Sequence, residues 1–128
     1  MGTEMPPNAL IGIIDDDADF LAAISSLVRS LGCKVEGFNS AELFFDRGRV
    51  ADFSCVISDI HMPKTDGFEL TRILRRMLQD LPIILMTGRT GPDTERKAYN
   101  CGATVVMSKP FGFEDLTASF QRIGIMRK

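Results

Sequence analysis

The run Cys55-Val56-Ile57-Ser58-Asp59-Ile60-His61-Met62-Pro63-Lys64-Thr65-Asp66-Gly67 decides the fold. It continues an apolar stretch, Phe53 to Ile57, that stops at a single carboxylate, Asp59. A short run of this kind, with Val and Ile, predicts a buried strand. Pro63 and Gly67 then predict a shaped loop. Asp59 is therefore expected at the carboxyl end of a buried strand, facing a crevice. In open α/β sheets that is where ligands and reacting groups gather.

Upstream, Leu10 to Ile14 predicts another buried strand, stopping at Asp15-Asp16-Asp17. Leu21, Ile24, Leu27, Val28 and Leu31 then share one helical face. Asp17 and Asp19 suit its cap or first turn, and Gly32 its end. Cys33 to Phe38 predicts a second strand, and Ser40 caps a short helix over Ala41 to Arg47, closed by Gly48. Downstream, Asp66 and Glu69 have capping-box spacing. The helix they open runs to about Leu78, with Leu70, Ile73, Leu74 and Met77 as its apolar stripe. Pro82 to Met86 is a fourth apolar run, stopping at Thr87-Gly88. Gly91-Pro92-Asp93 opens a helix that Gly102 ends. Ala103 to Met107 is the fifth run, stopping at Ser108-Lys109-Pro110, and a last helix spans Glu114 to Ile123. Short apolar runs alternating with amphipathic helices predict one five-stranded parallel sheet covered on both faces, an α/β three-layer sandwich.

A chain of 128 residues with 45% hydrophobic and 25% charged residues suits one globular domain with a core of ordinary size. The expected organisation is a flexible leader at 1–8 and one domain at 9–126, with no effector domain in this chain. The net charge of -2 and the lack of a basic block argue against direct nucleic-acid binding. No apolar run approaches the roughly 18 residues that a membrane span needs. The leader lacks the regions of a signal peptide. Cys33, Cys55 and Cys101 have no metal-ligand spacing and are expected to be buried, reduced thiols of a cytoplasmic protein.

The strand ends carry the chemistry. Asp15 and Asp16 follow the first strand, Asp59 ends the third, Thr87 the fourth and Lys109 the fifth. A parallel sheet puts these ends on one edge, so three carboxylates, a hydroxyl and an ammonium converge. One carboxylate pair at about 4 Å repels by about 4 kcal/mol at an effective dielectric near 20. A raised pKa or a bound cation relieves that. A hard divalent ion, Mg²⁺ or Mn²⁺, suits an oxygen cluster that handles phosphate. Carboxylate, divalent ion, Lys and hydroxyl together are equipped for phosphoryl transfer onto Asp59. Each residue also has a plainer reading: Asp15, Asp16, Asp17 and Asp19 as helix N-terminal acids, Lys109 as an ordinary exposed lysine and Thr87 as an ordinary strand-end residue.

The chain resembles the receiver domain of two-component response regulators, of the chemotaxis-regulator kind, from about Leu10 to Ile123. The likeness rests on Ile14-Asp15-Asp16-Asp17, Ser58-Asp59-Ile60-His61-Met62-Pro63 with Asp66-Gly67, Leu85-Met86-Thr87-Gly88, Gly102-Ala103 and Lys109-Pro110-Phe111. The resemblance implies a flavodoxin-like (βα)5 fold with strand order 2-1-3-4-5. It implies that Asp59 takes a phosphoryl group from a sensor histidine kinase or a phosphotransfer protein. Asp16 and Asp59 would ligate the metal directly, Asp15 largely through water, and His61 through its main-chain carbonyl. Lys109, before a cis Pro110, would pair with the phosphoryl oxygens. Thr87 would move toward them and reshape the face of the fourth helix, fifth strand and fifth helix for a downstream effector or a weak homodimer. His61 and Arg89 would tune dephosphorylation. The domain would be a switch with slow self-phosphatase activity rather than a turnover enzyme.

Val106 departs from the pattern, because receivers of this type carry Tyr or Phe three residues before the lysine. Tyr99 is expected to be partly packed, Arg75-Arg76 to form a solvated face, and Met77, Met86 and Met107 to fill the core. Two competing readings stand beside the switch. One is an aspartyl-phosphate phosphohydrolase, against which His61 holds the place of the usual general acid. The other is a receiver-like module without chemistry.

Overall fold

Each apolar run lies in a parallel strand: β1 (Leu10–Ile14), β2 (Lys34–Phe38), β3 (Cys55–Asp59), β4 (Ile83–Thr87) and β5 (Val105–Ser108). The strands pair in the order β2-β1-β3-β4-β5, the flavodoxin-like arrangement. Between and after them lie α1 (Ala18–Arg29), α2 (Ala41–Arg47), α3 (Gly67–Met77), α4 (Pro92–Cys101) and α5 (Phe113–Arg122). The structure is a computed structural model that describes residues 5–126 apart from 7 and 90. Of the expected leader, residues 1–4 and 7 lie outside the described residues, whereas Met5 is buried.

The sheet is covered on both faces, and that explains why its central strands are apolar throughout rather than alternating. Ile11, Ile13, Ile57 and Ile84 pack against Ile24 and Val28 of α1 and Leu116 and Phe120 of α5. Ile14, Val56, Ile83 and Leu85 pack on the other face against Phe44 of α2, Leu70 and Leu74 of α3 and Ala98 of α4. All three cysteines are buried free thiols. Register brings the strand ends level: Ile14 faces Ser58, Asp59 faces Met86, and Thr87 faces Ser108.

Helix ends follow the capping residues. Asp17 accepts from the backbone N–H groups of Asp19 and Phe20 at 3.0 and 3.1 Å, and Ser40 from Leu43 at 3.1 Å. Asp66 accepts from the Glu69 N–H at 2.9 Å. The expected capping box at α3 is only half made, because the Glu69 carboxylate turns to Arg72 at 3.2 Å instead. At α5 the reverse half forms, the Asp115 carboxylate accepting from the Gly112 N–H at 3.0 Å.

Three side-chain expectations change. Met77 is not core but 54% exposed, because α3 ends there and Leu78 takes the inward place. Tyr99 is exposed on α4. Arg75 is not on a solvated face. Its guanidinium donates to the carbonyls of Gly102 at 2.8 Å, Leu81 at 2.7 Å and Leu78 at 3.2 Å, tying the ends of α3 and α4 to the start of β4. Gly102 has φ +110, and a Cβ there would come within 2.5 Å of Arg75 Cγ, so only glycine admits this close approach. Arg76 alone is exposed as expected.

Arg75→Met is therefore expected to cost about 2–3 kcal/mol, since it strands partly buried carbonyls. Arg76→Met should stay within about 0.5 kcal/mol of the wild type. Paired urea unfolding curves measure both.

Candidate functional site

The polar residues at the strand ends meet where the register predicts. Asp15, directly after β1, is fully buried, Asp59 at the end of β3 is 7% exposed, and Asp16 faces solvent. One carboxylate oxygen from each lies within 4.8 Å of the other two. Lys109, directly after β5, reaches into this group. Its Nζ is 2.8 Å from Asp15 Oδ2 and 3.5 Å from Asp59 Oδ1. The Lys109–Pro110 bond is cis.

The two buried carboxylates are held differently. Asp15 accepts from the Asp17 N–H at 2.9 Å through Oδ1 and from Lys109 through Oδ2. Asp59 has the weaker hold on Lys109. Burial pushes its carboxyl above the ordinary range, the charge of Asp15 adds to the shift, and Lys109 opposes it. The donor set is all hard oxygen, with no thiol or imidazole among the three ligand candidates, and it fits a divalent cation such as Mg²⁺.

The loop after Asp59 is clamped from behind. Gly67 donates its N–H to the Ile60 carbonyl at 2.8 Å. A Cβ on Gly67 would lie 2.5 Å from the Asp59 carbonyl oxygen and 2.8 Å from Ile60 Cα. The start of α3 therefore rests directly on the backbone of Asp59. Within α3, the buried Thr71 hydroxyl donates to the Gly67 carbonyl at 2.7 Å. Thr65 donates to Glu42 of α2 at 2.5 Å, which ties the far side of the loop down. Met62 is buried in the core beside the site, and the His61 side chain is exposed.

The other wall is looser. Thr87 is buried, but its hydroxyl is turned into its own loop. It accepts from the Arg89 N–H at 2.9 Å and lies 3.3 Å from the Arg89 carbonyl. Arg89 is exposed. Val106 on β5 is partly buried against the α2, α3 and α4 side of the core. It also lines a groove of about 410 Å³ with Met107, Pro110, Phe111 and Arg122. The structure thus gathers Asp15, Asp16, Asp59 and Lys109 into one cluster. Thr87 stands at its edge, His61 and Arg89 on its rim, and Val106 outside it.

Two neighbours of the cluster have parts that the sequence does not announce. The Asp17 main chain, expected as a cap and as the last residue of the acidic motif, orients Asp15. The ring of Phe20 lies under Lys109, with Nζ 4.1 Å from its centroid. An aromatic at the third position of α1 is its only mark in the sequence, beside the stronger helical stripe of Leu21, Ile24 and Val28.

A fold of this kind with acidic residues and one lysine at its strand ends defines a class of phosphate-handling signalling domains. A model of the response regulator receiver domain matches residues 11–121, and the chain belongs to that family. Similar proteins include the response regulator TmoT of Ectopseudomonas mendocina, 39% identical over 114 residues, which are 88% of this chain and 51% of that protein. The transcriptional regulatory protein FixJ of Bradyrhizobium diazoefficiens is 35% identical over 111 residues, 87% of this chain and 54% of that protein. The chain spans about half the length of these curated relatives. Among solved structures, a chemotaxis response regulator of Vibrio cholerae is 28% identical with a TM-score of 0.82, covering 91% of this chain and 98% of that one. The BeF3-activated DrrB receiver domain is also 28% identical, with a TM-score of 0.83 over 91% of this chain and 97% of that one. Among the described residues no helix is long and apolar enough to cross a membrane.

The raised Asp59 carboxyl has a consequence for stability. The folded chain keeps its proton at a pH where the unfolded chain has lost it. The stability this gives is fully present below the unfolded carboxylate pKa and is lost as pH rises through the folded one. In metal-free buffer at neutral pH, Asp59→Asn should therefore be more stable than the wild type by on the order of 1 kcal/mol. The gap should close on acidification. Thermal unfolding between pH 3 and pH 8 checks both.

Proposed function

We propose that Asp59 is the phosphoacceptor of this receiver domain and that phosphorylation there switches the binding of a partner. Convergence of Asp15, Asp16 and Asp59 within 4.8 Å, with Lys109 reaching both buried carboxylates, carries this reading. An Asp59 carboxylate oxygen attacks the phosphorus of a phosphohistidine on a sensor histidine kinase or phosphotransfer protein. The new O–P bond forms as the donor's N–P bond breaks. The electron pair stays on the imidazole nitrogen, which takes a proton from solvent. Asp16 and Asp59, with Asp15 behind them and the His61 carbonyl beside them, would hold Mg²⁺ or Mn²⁺. When bound, that ion supplies positive charge against the phosphoryl oxygens. Lys109 supplies the protein's own positive charge at the same place.

The added group carries about -1.5 to -2 of charge. For Thr87 to donate to it, its hydroxyl must leave the turn with Arg89, so that turn is the two-state element. The change passes to the face formed by α4, β5 and α5. There Val106 stands where a ring would otherwise report, so the output of this chain relies on backbone and helix shifts at that face. The downstream effector binds there, or a second copy pairs weakly. His61 and Arg89, exposed on the rim, tune the lifetime of the aspartyl phosphate. The domain acts in the cytoplasm as a switch with slow self-phosphorylation and self-dephosphorylation, not as a turnover enzyme.

Incubation with Mg²⁺ and a small acyl phosphate should add the mass of one phosphoryl group, and Asp59→Asn should abolish it. Repeated turnover without accumulation would favour a hydrolase, and no reaction in either case an inert module. Loss of even an outer partner of a metal site costs about 10–100-fold in affinity. Asp16→Ala should therefore weaken Mg²⁺ binding by at least about 100-fold, measured by calorimetry.

A further inference from the structure

We infer that Phe20 is a positioning residue for Lys109, its ring holding the ammonium beside Asp59 ready for an incoming phosphoryl group. This rests on the phosphoacceptor reading above.

Three groups surround Lys109 Nζ. Asp15 Oδ2 is at 2.8 Å, Asp59 Oδ1 at 3.5 Å, and the centroid of the Phe20 ring at 4.1 Å. The face of an aromatic ring attracts a cation through its quadrupole. Unlike a third carboxylate, it takes up none of the ammonium's N–H donors in a strong hydrogen bond. The ammonium lies nearer Asp15, the fully buried partner, and the ring adds a third attraction that competes for no N–H donor with Asp59. The ring also bounds the space open to a lysine stem of four methylenes, whose free rotamers otherwise cost about 1.5–2 kcal/mol to order.

The ring is itself held. The Phe20 backbone N–H is capped by Asp17 Oδ1 at 3.1 Å, the residue whose main chain also orients Asp15. Phe111 packs against the ring edge-on, with centroids 5.8 Å apart and planes at 82°. Phe111 follows the cis Lys109–Pro110 bond, so the segment that delivers the ammonium also supports the ring beneath it. Packing alone does not call for an aromatic here. Phe20 is a partly buried flank of the core, and a leucine would fill much of the same space.

The test separates Lys109 from the metal ligands. Mg²⁺ alone reports on the carboxylates, and beryllofluoride added with Mg²⁺ reports on the groups that receive a phosphoryl. The full chain is titrated with each. Phe20→Leu should keep wild-type Mg²⁺ affinity and bind beryllofluoride about three- to five-fold more weakly. Phe20→Tyr, which restores a ring, should recover it. A second readout needs no variant: the Lys109 ε-methylene protons should be shifted upfield by the ring current in the wild type. Equal beryllofluoride affinity in Phe20→Leu and wild type, failure of the tyrosine to rescue, or absence of the upfield shift would overturn the role of Phe20 alone. A wild-type chain that takes up no beryllofluoride would overturn the phosphoacceptor reading and this inference with it.

Discussion

The ammonium of Lys109 between the carboxylates of Asp15 and Asp59 is the interaction on which the rest of the structure depends. Asp15 is wholly buried and Asp59 nearly so. A buried charge without a partner costs several kcal/mol. The cation that answers them comes from 94 residues further along the chain than Asp15, at the end of the strand that closes one edge of the sheet. The site's ammonium thus arrives only when β5 has docked, and charge there is then partly balanced. The balance is incomplete, since one ammonium faces two buried carboxylates and a third exposed one. A site left short of positive charge is suited to receive a divalent cation.

The surroundings of that cluster differ on its two sides. Behind Asp59 the contacts are backbone on backbone, where Gly67 lies against the Asp59 carbonyl, with Thr71 and Thr65 closing hydrogen bonds around them. Such contacts leave no room for small adjustments, because packed interiors resist local change. Across the site, the Thr87 hydroxyl bonds to the main chain of Arg89, which is exposed to solvent, while the Thr87 carbonyl accepts from the Lys109 N–H at 2.8 Å. A device that must keep its acceptor oxygen in place while changing its outer surface needs this asymmetry. Val106 lies outside the cluster on β5, partly buried, and its branched chain has no ring to rotate.

Much of the fold was legible because each strand is a short apolar run that ends in a polar residue. Buried parallel strands tolerate few polar side chains except at their tips, and those tips here are Asp15, Asp59, Thr87 and Lys109. The parts that were not legible are those where a side chain serves a distant segment. Arg75 looked like half of an exposed basic pair, yet it satisfies carbonyls at the ends of α3 and α4. Met77 kept the helical spacing of a core residue, but the helix stops there and leaves it in solvent. Glu69 had the spacing of a capping partner and bonded to Arg72 instead. The comparisons establish the family, and the residues that carried the resemblance are those that gather at the strand ends.

Periodicity, punctuation by glycine and proline, and the polar tips of the strands were enough to determine the layers, the parallel sheet and the three carboxylates and lysine that meet at its edge. Those are properties of local spacing, and local spacing is written in the chain. Tertiary structure alone decided which carboxylate Lys109 approaches more closely, that Phe20 lies beneath it, and that the Thr87 hydroxyl is turned away. The first two depend on distances between segments far apart in sequence, which no pattern along one segment can encode, and the third on a local turn with Arg89 that spacing alone does not reveal.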